Sequence, residues 1–333
     1  MIAGFTVVRN GLRNGYPFVE AIRSALELCE VVHASDGYSD DGTFEVLRRL
    51  AAAEPRVRVR QDHWKAGGGA GVPFRSILNE VRRDLTEEMI FQFDANEILP
   101  PEAAPLLREA PELYPHKELF ALPYHQFLGR YWFNEEFRFR FFRNRPWIWA
   151  LWDGWTFGHH LGPLDLVRAP HFRRILARTA LAVVQDRVAV DLPEVHLHLP
   201  RPIFHYYGMF PDAFFKKMGA KVWLQDNPEY RKLTAENPAA SALMEAYRRT
   251  GEYDRFWKGV LELQQREREQ GLPFNKEFLY ARFVPDGGHP EILRGVLGTA
   301  EYGPPGAPIP ALESTKGSPS PGSRAGSTGA RSE

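Results

Sequence analysis

The stretch IAGFTVVRNGLRNGYPFVEAIRSALELCEVVHASDG, residues 2–37, decides the fold class because two short apolar runs flank an amphipathic segment. The first run, IAGFTVV, ends at Arg9, and the second begins with VVHA. Between them, FVEAIRSALELC carries apolar side chains at helical spacing directly after Pro17, a residue that is tolerated at the start of a helix. A strand, a helix and a second strand of these lengths predict a crossover between two parallel strands.

The same alternation continues to residue 93. Helical spacing recurs at residues 43–53 and 74–85, and short β-rich runs occur at residues 56–60 and 89–93. Repeated strand and helix units of this kind predict an α/β fold with a Rossmann-like, mostly parallel central sheet and flanking helices.

The pattern changes beyond residue 93. Apolar runs with polar interruptions predict strands of a mixed or antiparallel extension at residues 119–127, 137–144 and 180–190. A highly charged segment with helical spacing runs from residue 212 to residue 270 and predicts a helical C-terminal region. Residues 301–333 are rich in Gly, Pro and Ser and hold little that could be buried, so we expect a disordered tail.

The composition excludes several classes of partner. The 42 basic and 42 acidic side chains balance, so the net charge does not indicate a nucleic acid as a partner. A single cysteine, Cys29, excludes an internal disulfide framework, and no apolar segment is long enough for a transmembrane helix. The first residues read as a strand rather than as a signal peptide, so we expect a cytoplasmic protein.

Polar clusters follow three of the predicted strands. They are Arg9-Asn10 after the first strand, residues 35–43 after the second, and residues 94–97 after the strand at 89–93. Ligands of parallel α/β sheets bind beyond the C-terminal ends of the strands. Acidic groups gathered there need a positive or strongly donating partner, such as a metal-bound diphosphate. Each cluster by itself is equally compatible with ordinary turn and helix-capping chemistry.

Two of these clusters resemble motifs of a known family. SDGYSDDGT, residues 35–43, is similar to the acidic loop of the inverting family-2 glycosyltransferases, and FQFDANEIL, residues 91–99, resembles their later Asp-X-Asp-Glu motif. The resemblance covers residues 2–100 and continues thinly beyond them. It implies a GT-A fold and inverting transfer of a sugar from a nucleotide-diphosphate sugar to a carbohydrate or other hydroxyl acceptor, usually with a divalent Mn or Mg ion.

Residue by residue, the resemblance implies a donor site on the first hundred residues. Asp36 would contact the base and Asp41 the nucleoside, while Asp94 and the position of Asn96 would face the ribose, the diphosphate and the metal. Asn96 stands where the family has a second Asp. A carboxamide coordinates a hard cation more weakly than a carboxylate does, which puts metal dependence in question, although Glu97 is adjacent and could compensate.

Further donor-site residues are predicted at other positions. Arg9 and Asn10 end the first strand, and Arg75 follows a glycine run at residues 65–71, so its guanidinium suits a diphosphate. A loop without a ligand explains the glycine run equally well. His205 lies in RPIFHYYG, which is similar to a segment that closes over the donor in the family and can bind the metal. A structural role for a lone His is equally compatible with this position.

The acceptor side is predicted in FRFRFFRNRPWIWALWDGWTFGHHLG, residues 137–162. Inverting transfer needs a general base that deprotonates the acceptor hydroxyl. We predict Asp153, which lies between two tryptophans, as this base and Glu135 and Glu136 as the second choices. A core or an oligomer interface explains the tryptophans of this segment equally well. The Gln-X-X-Arg-Trp motif of the family's processive polymerases is absent, which disfavours a polysaccharide synthase.

These assignments divide the chain into a GT-A domain at residues 1–210, a helical extension at 211–300 and the tail at 301–333. Within the first domain, residues 1–100 form the nucleotide-binding half and residues 101–210 the acceptor half. Two other functions stay open. One is a nucleotidyltransferase on a similar sheet, and the other is a module that binds a nucleotide or sugar without catalysis, which the Asn in the acidic motif favours.

Overall fold

The computed structural model describes residues 1–64, 72–151, 154, 156–159, 194–214, 238–271 and 281–299. The glycine run at 65–71, the predicted strand at 180–190 and the predicted tail at 301–333 lie outside these ranges. The strands are β1 (Ile2–Val8), β2 (Val31–Asp36), β3 (Val57–Gln61), β4 (Met89–Gln92), β5 (Glu97–Ile98), β6 (Leu119–Leu128), β7 (Tyr131–Arg143), β8 (Ile148–Leu151), β9 (Thr156–His159), β10 (Glu194–His196), β11 (Ile203–Gly208) and β12 (Arg282–Phe283). The helices are α1 (Phe18–Ala25), α2 (Thr43–Ala53), α3 (Val72–Arg83), α4 (Ala103–Leu113), α5 (Pro238–Thr250) and α6 (Tyr253–Glu269).

The first half of the sheet is the predicted parallel core. β3, β2, β1 and β4 lie side by side in that order, and each pairs in parallel with its neighbour. Every residue of β1 is buried, as expected for a central strand that helices cover on both faces. The α/β, Rossmann-like fold predicted from the sequence is therefore confirmed.

The second half of the sheet is mixed. β4 pairs antiparallel with β7 and β7 antiparallel with β6, while β11 pairs in parallel with β6 and antiparallel with β5. β10 adds to β6, and β12 adds to β7. The strand predicted at residues 137–144 is the second part of β7, which begins at Tyr131 because it pairs with β6 along the whole hairpin. A parallel half extended by mixed strands is the GT-A arrangement that the resemblance implies.

Helices pack on both faces of the sheet because the side chains of its strands alternate. On one face, Ile22 of α1 and Leu107 of α4 belong to the largest apolar cluster. On the other face, Leu78 of α3 packs with Phe5 of β1 in a second cluster. A third cluster joins α5 and α6 around the fully buried Trp257, which confirms the helical prediction for this part of residues 212–270. Among the described helices, none has both the length and the apolar character needed to cross a membrane.

Candidate functional site

The polar clusters that follow β1, β2 and β4 lie along one edge of the sheet. In the parallel register, Val8 pairs with Asp36 and Phe5 pairs with Gln92, so the three strands end close together. β2 and β3 lie on one side of β1, and β4, the next strand along the chain, lies on the other side. The reversal of strand order beside β1 is the position at which parallel α/β sheets bind ligands.

Asp36 is fully buried and anchors the acidic loop after β2. Its carboxylate accepts hydrogen bonds from the backbone N–H of Ser39 at 3.0 Å, from the Ser39 hydroxyl, and from Nε2 of Gln61 at 3.0 Å. Oγ of Ser39 in turn accepts the backbone N–H of Asn10 at 2.8 Å. The carboxylate that we predicted to contact the base therefore holds this loop against the loop after β1.

Asp41 holds the other end of the acidic loop. It accepts the backbone N–H of Arg13 at 2.8 Å, the backbone N–H of Thr43 at 3.0 Å and the Thr43 hydroxyl at 2.6 Å, at the start of α2. Oδ1 of Asn10 accepts the backbone N–H of Asp40 at 3.1 Å, and Asn10 itself adopts a left-handed φ of 53°. Predicted donor-site residues thus bind the two loops to each other, which is the capping and turn chemistry also expected of such sequences.

An aromatic surface that the sequence analysis did not single out lies at these loops. Tyr38 is exposed and stacks on His63, with ring centroids 3.9 Å apart and planes inclined by 9°. The indole of Trp64 and the Cβ of Arg9 both lie against Gly37, where an added Cβ would be 2.8 Å from the indole. Stacked rings at the ends of two neighbouring strands offer a flat surface to a planar ligand.

Asp94 belongs to a second set of charges at this edge. The guanidinium of Arg140 donates to both carboxylate oxygens, Nη1 to Oδ1 at 3.1 Å and Nη2 to Oδ2 at 2.9 Å. Nε2 of Gln92 also donates to Oδ1, at 3.1 Å. The side chain of Arg140 is 1% exposed and that of Asp94 is 20% exposed. Asp94 therefore reaches the surface while its bidentate partner is buried.

Glu97 and Arg138 continue this set of charges into the interior. Nη1 of Arg138 donates to Oε1 of Glu97 at 2.8 Å, and Nη2 of Arg140 lies 3.4 Å from the same oxygen. Arg138 also pairs with Glu136, and its Nη2 lies 3.2 Å from Nδ1 of His205. The side chains of Arg138 and Glu97 are fully buried. These ion pairs and contacts join six residues that we call the charged cluster: Asp94, Glu97, Glu136, Arg138, Arg140 and His205.

Carboxylates outnumber guanidiniums three to two in the charged cluster. Burial opposes the ionisation of Asp94, but the charge and hydrogen bonds of Arg140 outweigh it and hold the pKa of Asp94 well below its ordinary value. Burial raises the pKa of Glu97 to about 7, and the charge of Asp94 adds to this effect although both arginines oppose it. Within the cluster, Asp94 therefore stays ionised, and a proton binds at Glu97 instead.

Glu97→Gln is expected to change the pH dependence of stability. The folded pKa of Glu97, about 7, exceeds its ordinary value of 4.5, so the folded state binds the proton more tightly than the unfolded state does. The wild-type free energy of unfolding therefore loses this contribution as the pH rises from 4.5 to 7, and the Gln variant has no such contribution. Urea unfolding at the two ends of this window measures the difference.

The control for this experiment is Glu109→Gln, which removes an exposed carboxylate from α4. It is expected to leave the pH dependence as it is in the wild type. A difference between wild type and Glu97→Gln that stays constant across the window would contradict the raised pKa of Glu97.

Three groups of the charged cluster have the chemistry of metal ligands. One ligand atom each from Asp94, Glu97 and His205 lies within 4.8 Å of the other two. Carboxylate oxygens and an imidazole nitrogen are groups that bind divalent metals in proteins. Asn96, the remaining predicted ligand, is also buried, and its Nδ2 donates to the backbone carbonyl of Tyr206 at 2.7 Å. The fold thus brings Asp94 and His205 together, adds Glu97 to them, and ties Asn96 to β11.

The other predicted site residues do not belong to the charged cluster. Glu135 lies on β7, but strand alternation turns it to the face opposite Glu136, where its half-exposed carboxylate is 3.6 Å from Nε2 of His125. Arg75 is exposed on α3 and lines a cavity of 290 Å³ that α3 forms with Trp149 of β8. Asp153, the predicted general base, lies outside the described residues.

Within the charged cluster, sequence reasoning missed Arg138 and Arg140. They lie in FRFRF, residues 137–141, and the two-residue period of a strand places both guanidiniums on one face. This alternation was a usable signal, but it does not show which groups the face meets. The antiparallel register of β4 with β7, in which Phe91 pairs with Phe141, brings that face to Asp94.

No protein-family model matches the chain, and no curated protein matches it in sequence. Among solved structures, S. aureus TarS 1-349 in complex with UDP-GlcNAc is 11% identical with a TM-score of 0.37, and the match covers 79% of this chain and 80% of that one.

 The mannosyltransferase PcManGT from Pyrobaculum calidifontis, in complex with GDP-Man and Mn2+, is 18% identical with a TM-score of 0.30, and the match covers 36% of this chain and 34% of that one.

A longer S. aureus TarS chain is 15% identical with a TM-score of 0.31, and the match covers 39% of this chain. The matched part spans 22% of that TarS chain and 34% of the mannosyltransferase, so it is well under half of either protein. At these identities and scores the similarity concerns the arrangement of strands and helices alone. It identifies neither a family nor a substrate.

Proposed function

We propose that the chain is a glycosyltransferase that moves a sugar from a nucleotide-diphosphate sugar to a hydroxyl acceptor with inversion. The observation that carries this proposal is the placement of two acidic strand ends, at Asp36 and Asp94, on either side of β1 at one edge of the sheet. The strand order reverses there, and a nucleotide bound at such a position lies across the ends of the parallel strands. This placement of the two acidic motifs supports a donor-binding role for them.

Two parts of this edge suit different parts of a donor. The stacked rings of Tyr38 and His63 offer a platform for the base. Stacking uses the face of a nucleobase and does not depend on the hydrogen-bonding groups at its edge. Asp94 is ionised, reaches the surface, and is held in one orientation by Arg140, so its carboxylate suits hydroxyl groups of the ribose or the sugar. The two hydrogen bonds from the buried Arg140 limit the movement of this carboxylate.

The acceptor hydroxyl must lose its proton as the nucleotide diphosphate leaves from the opposite face of the sugar. Asp153 remains our proposal for this base, and it follows β8 in the chain by two residues. Glu135 is less suited, because it faces away from Asp94 and pairs with His125. The proposal assigns no step to Mn²⁺ or Mg²⁺, because the carboxylates that would bind either ion are paired with arginines.

Calorimetric titration of the full chain with UDP, GDP and dTDP tests the proposal. We expect one of the three to bind and the corresponding nucleotide sugars to be hydrolysed slowly without an acceptor. Tyr38→Ala is expected to weaken that binding roughly 5- to 100-fold, because a base loses its stacking partner. The matched control is Tyr114→Ala, which removes an exposed tyrosine after α4 and should leave the affinity unchanged.

Absence of binding by all three nucleotide diphosphates would overturn the proposed function. Binding that Tyr38→Ala leaves unchanged would overturn the assignment of the aromatic platform, but not the function itself.

A nucleotide- or sugar-binding module without catalysis is the second candidate. A specific observation favours it, since both oxygens of Asp94 accept hydrogen bonds from Arg140 and the adjacent Asn96 donates to the backbone of β11. Chromatography of nucleotide sugars incubated with the protein separates the two candidates. Release of the nucleotide diphosphate supports the transferase, and tight binding with no release supports the module.

A further inference from the structure

The charged cluster contains the residue types of a divalent-metal site but arranges them around arginines. Arg140 donates to both oxygens of Asp94, at 3.1 and 2.9 Å. Arg138 donates to Oε1 of Glu97 at 2.8 Å, and the other oxygen of Glu97 accepts the backbone N–H of Asp94 at 2.9 Å. Nδ1 of His205 lies 3.2 Å from Nη2 of Arg138. Each potential ligand atom named here thus has a hydrogen-bond partner within the protein.

A divalent ion does not fit this arrangement. An ion that took the place of Arg140 on the Asp94 oxygens would displace a guanidinium whose side chain is 1% exposed. A buried guanidinium that loses its carboxylate partner is strongly unfavourable. If Arg140 stayed in place instead, a doubly charged ion would lie beside two buried cations and be repelled by both.

The charges of the cluster lead to the same conclusion. The three carboxylates and two guanidiniums of the cluster leave an excess of one negative charge. A divalent ion would turn this excess of one negative charge into an excess of one positive charge inside the protein. Buried charge that is not compensated is disfavoured, so the cluster has no deficit that an ion of charge two would fill.

We propose that Arg138 and Arg140 take the place of a divalent cation in this chain, so the acidic motif at Asp94 binds neither Mn²⁺ nor Mg²⁺. The two arginines are positioning residues, because their side chains are buried and act through Asp94 and Glu97. The inference concerns metal binding by the free protein and holds whether or not the chain transfers a sugar.

Electron paramagnetic resonance of free Mn²⁺, titrated with the full-length protein, tests this inference without any activity measurement. We expect the wild type to remove no more Mn²⁺ from solution than Asp94→Asn does. We also expect the thermal midpoint of the wild type to be the same in EDTA and in excess Mn²⁺, since an ion that binds the folded state raises its stability.

One equivalent of Mn²⁺ bound by the wild type and lost in Asp94→Asn would overturn the inference. Circular dichroism of Asp94→Asn shows whether that variant is folded. If it is not, the thermal midpoint of the wild type decides alone, and an increase in Mn²⁺ that EDTA reverses would overturn the inference. Failure of all nucleotide diphosphates to bind would remove the proposed function but leave this result standing.

Discussion

Arg140→Met is expected to lower the free energy of unfolding by about 3 to 5 kcal/mol, because it leaves the carboxylate of Asp94 without its bidentate partner. Met keeps much of the length of the Arg side chain, so the loss of the ion pair dominates over the loss of volume. Glu97 also loses a guanidinium at 3.4 Å and is itself fully buried. Urea unfolding followed by circular dichroism measures the change.

The matched control is Arg145→Met, just beyond the end of β7. The Nε of Arg145 lies 3.7 Å from Oε1 of Glu118, and its side chain is 39% exposed. The contact is long, the guanidinium is partly exposed, and Glu118, which is 7% exposed, keeps its hydrogen bond from Nε1 of Trp147 at 2.9 Å, so this variant should lose much less stability than Arg140→Met. Equal effects of the two substitutions would contradict the central place that we give to Arg140.

A double-mutant cycle isolates the pair itself. Asp94→Asn in the Arg140→Met background is expected to be far less damaging than in the wild type, since the partner of Asp94 is already gone. Additive effects would mean that the two side chains do not depend on each other, contrary to their bidentate contact.

Gly129→Ala is expected to lower the free energy of unfolding by about 2 to 5 kcal/mol, through a left-handed backbone and a steric clash. Gly129 lies in the turn between β6 and β7 with a φ of 54°. An added Cβ would be 2.2 Å from Cδ1 of Trp257, a fully buried side chain of α6 that cannot easily move. Thermal and urea unfolding both measure this effect.

Gly251→Ala separates the two causes. Gly251 follows α5 with a φ of 68°, and an added Cβ there would meet no atom within 4 Å. This variant therefore carries the backbone strain alone and should lose about 1 to 2 kcal/mol. If Gly129→Ala is no more destabilising than Gly251→Ala, Trp257 does not pack against the β6–β7 turn as described.

The parallel half of the fold could be predicted because its signals are local. Apolar runs and helical spacing between residues 2 and 93 mark β1, β2, β3 and β4 with the helices between them. The mixed half of the sheet was harder to predict from the sequence, since polar residues such as Glu135 interrupt the apolar pattern of β7 where one face of the strand is exposed. Only its pairing with β6 shows that β7 begins at Tyr131.

The candidate site was predicted in part for the same reason. Asp36 ends a strand, and Asp41 and Asp94 follow strands, so a parallel sheet had to bring them to one edge. Their partners could not be read from the sequence. Asp36 and Asp41 bind the two loops together, and the stacking of Tyr38 on His63 joins residues that follow different strands.

The sequence by itself determined the α/β class and the positions of the acidic groups, because strand and helix periods and strand ends are local properties of the chain. The tertiary structure alone decided what neutralises those groups. Arg140 is 46 residues from Asp94, and only the antiparallel register of β4 with β7 brings the two side chains together. A charge pair of this kind depends on distance in space, which no spacing along the sequence fixes.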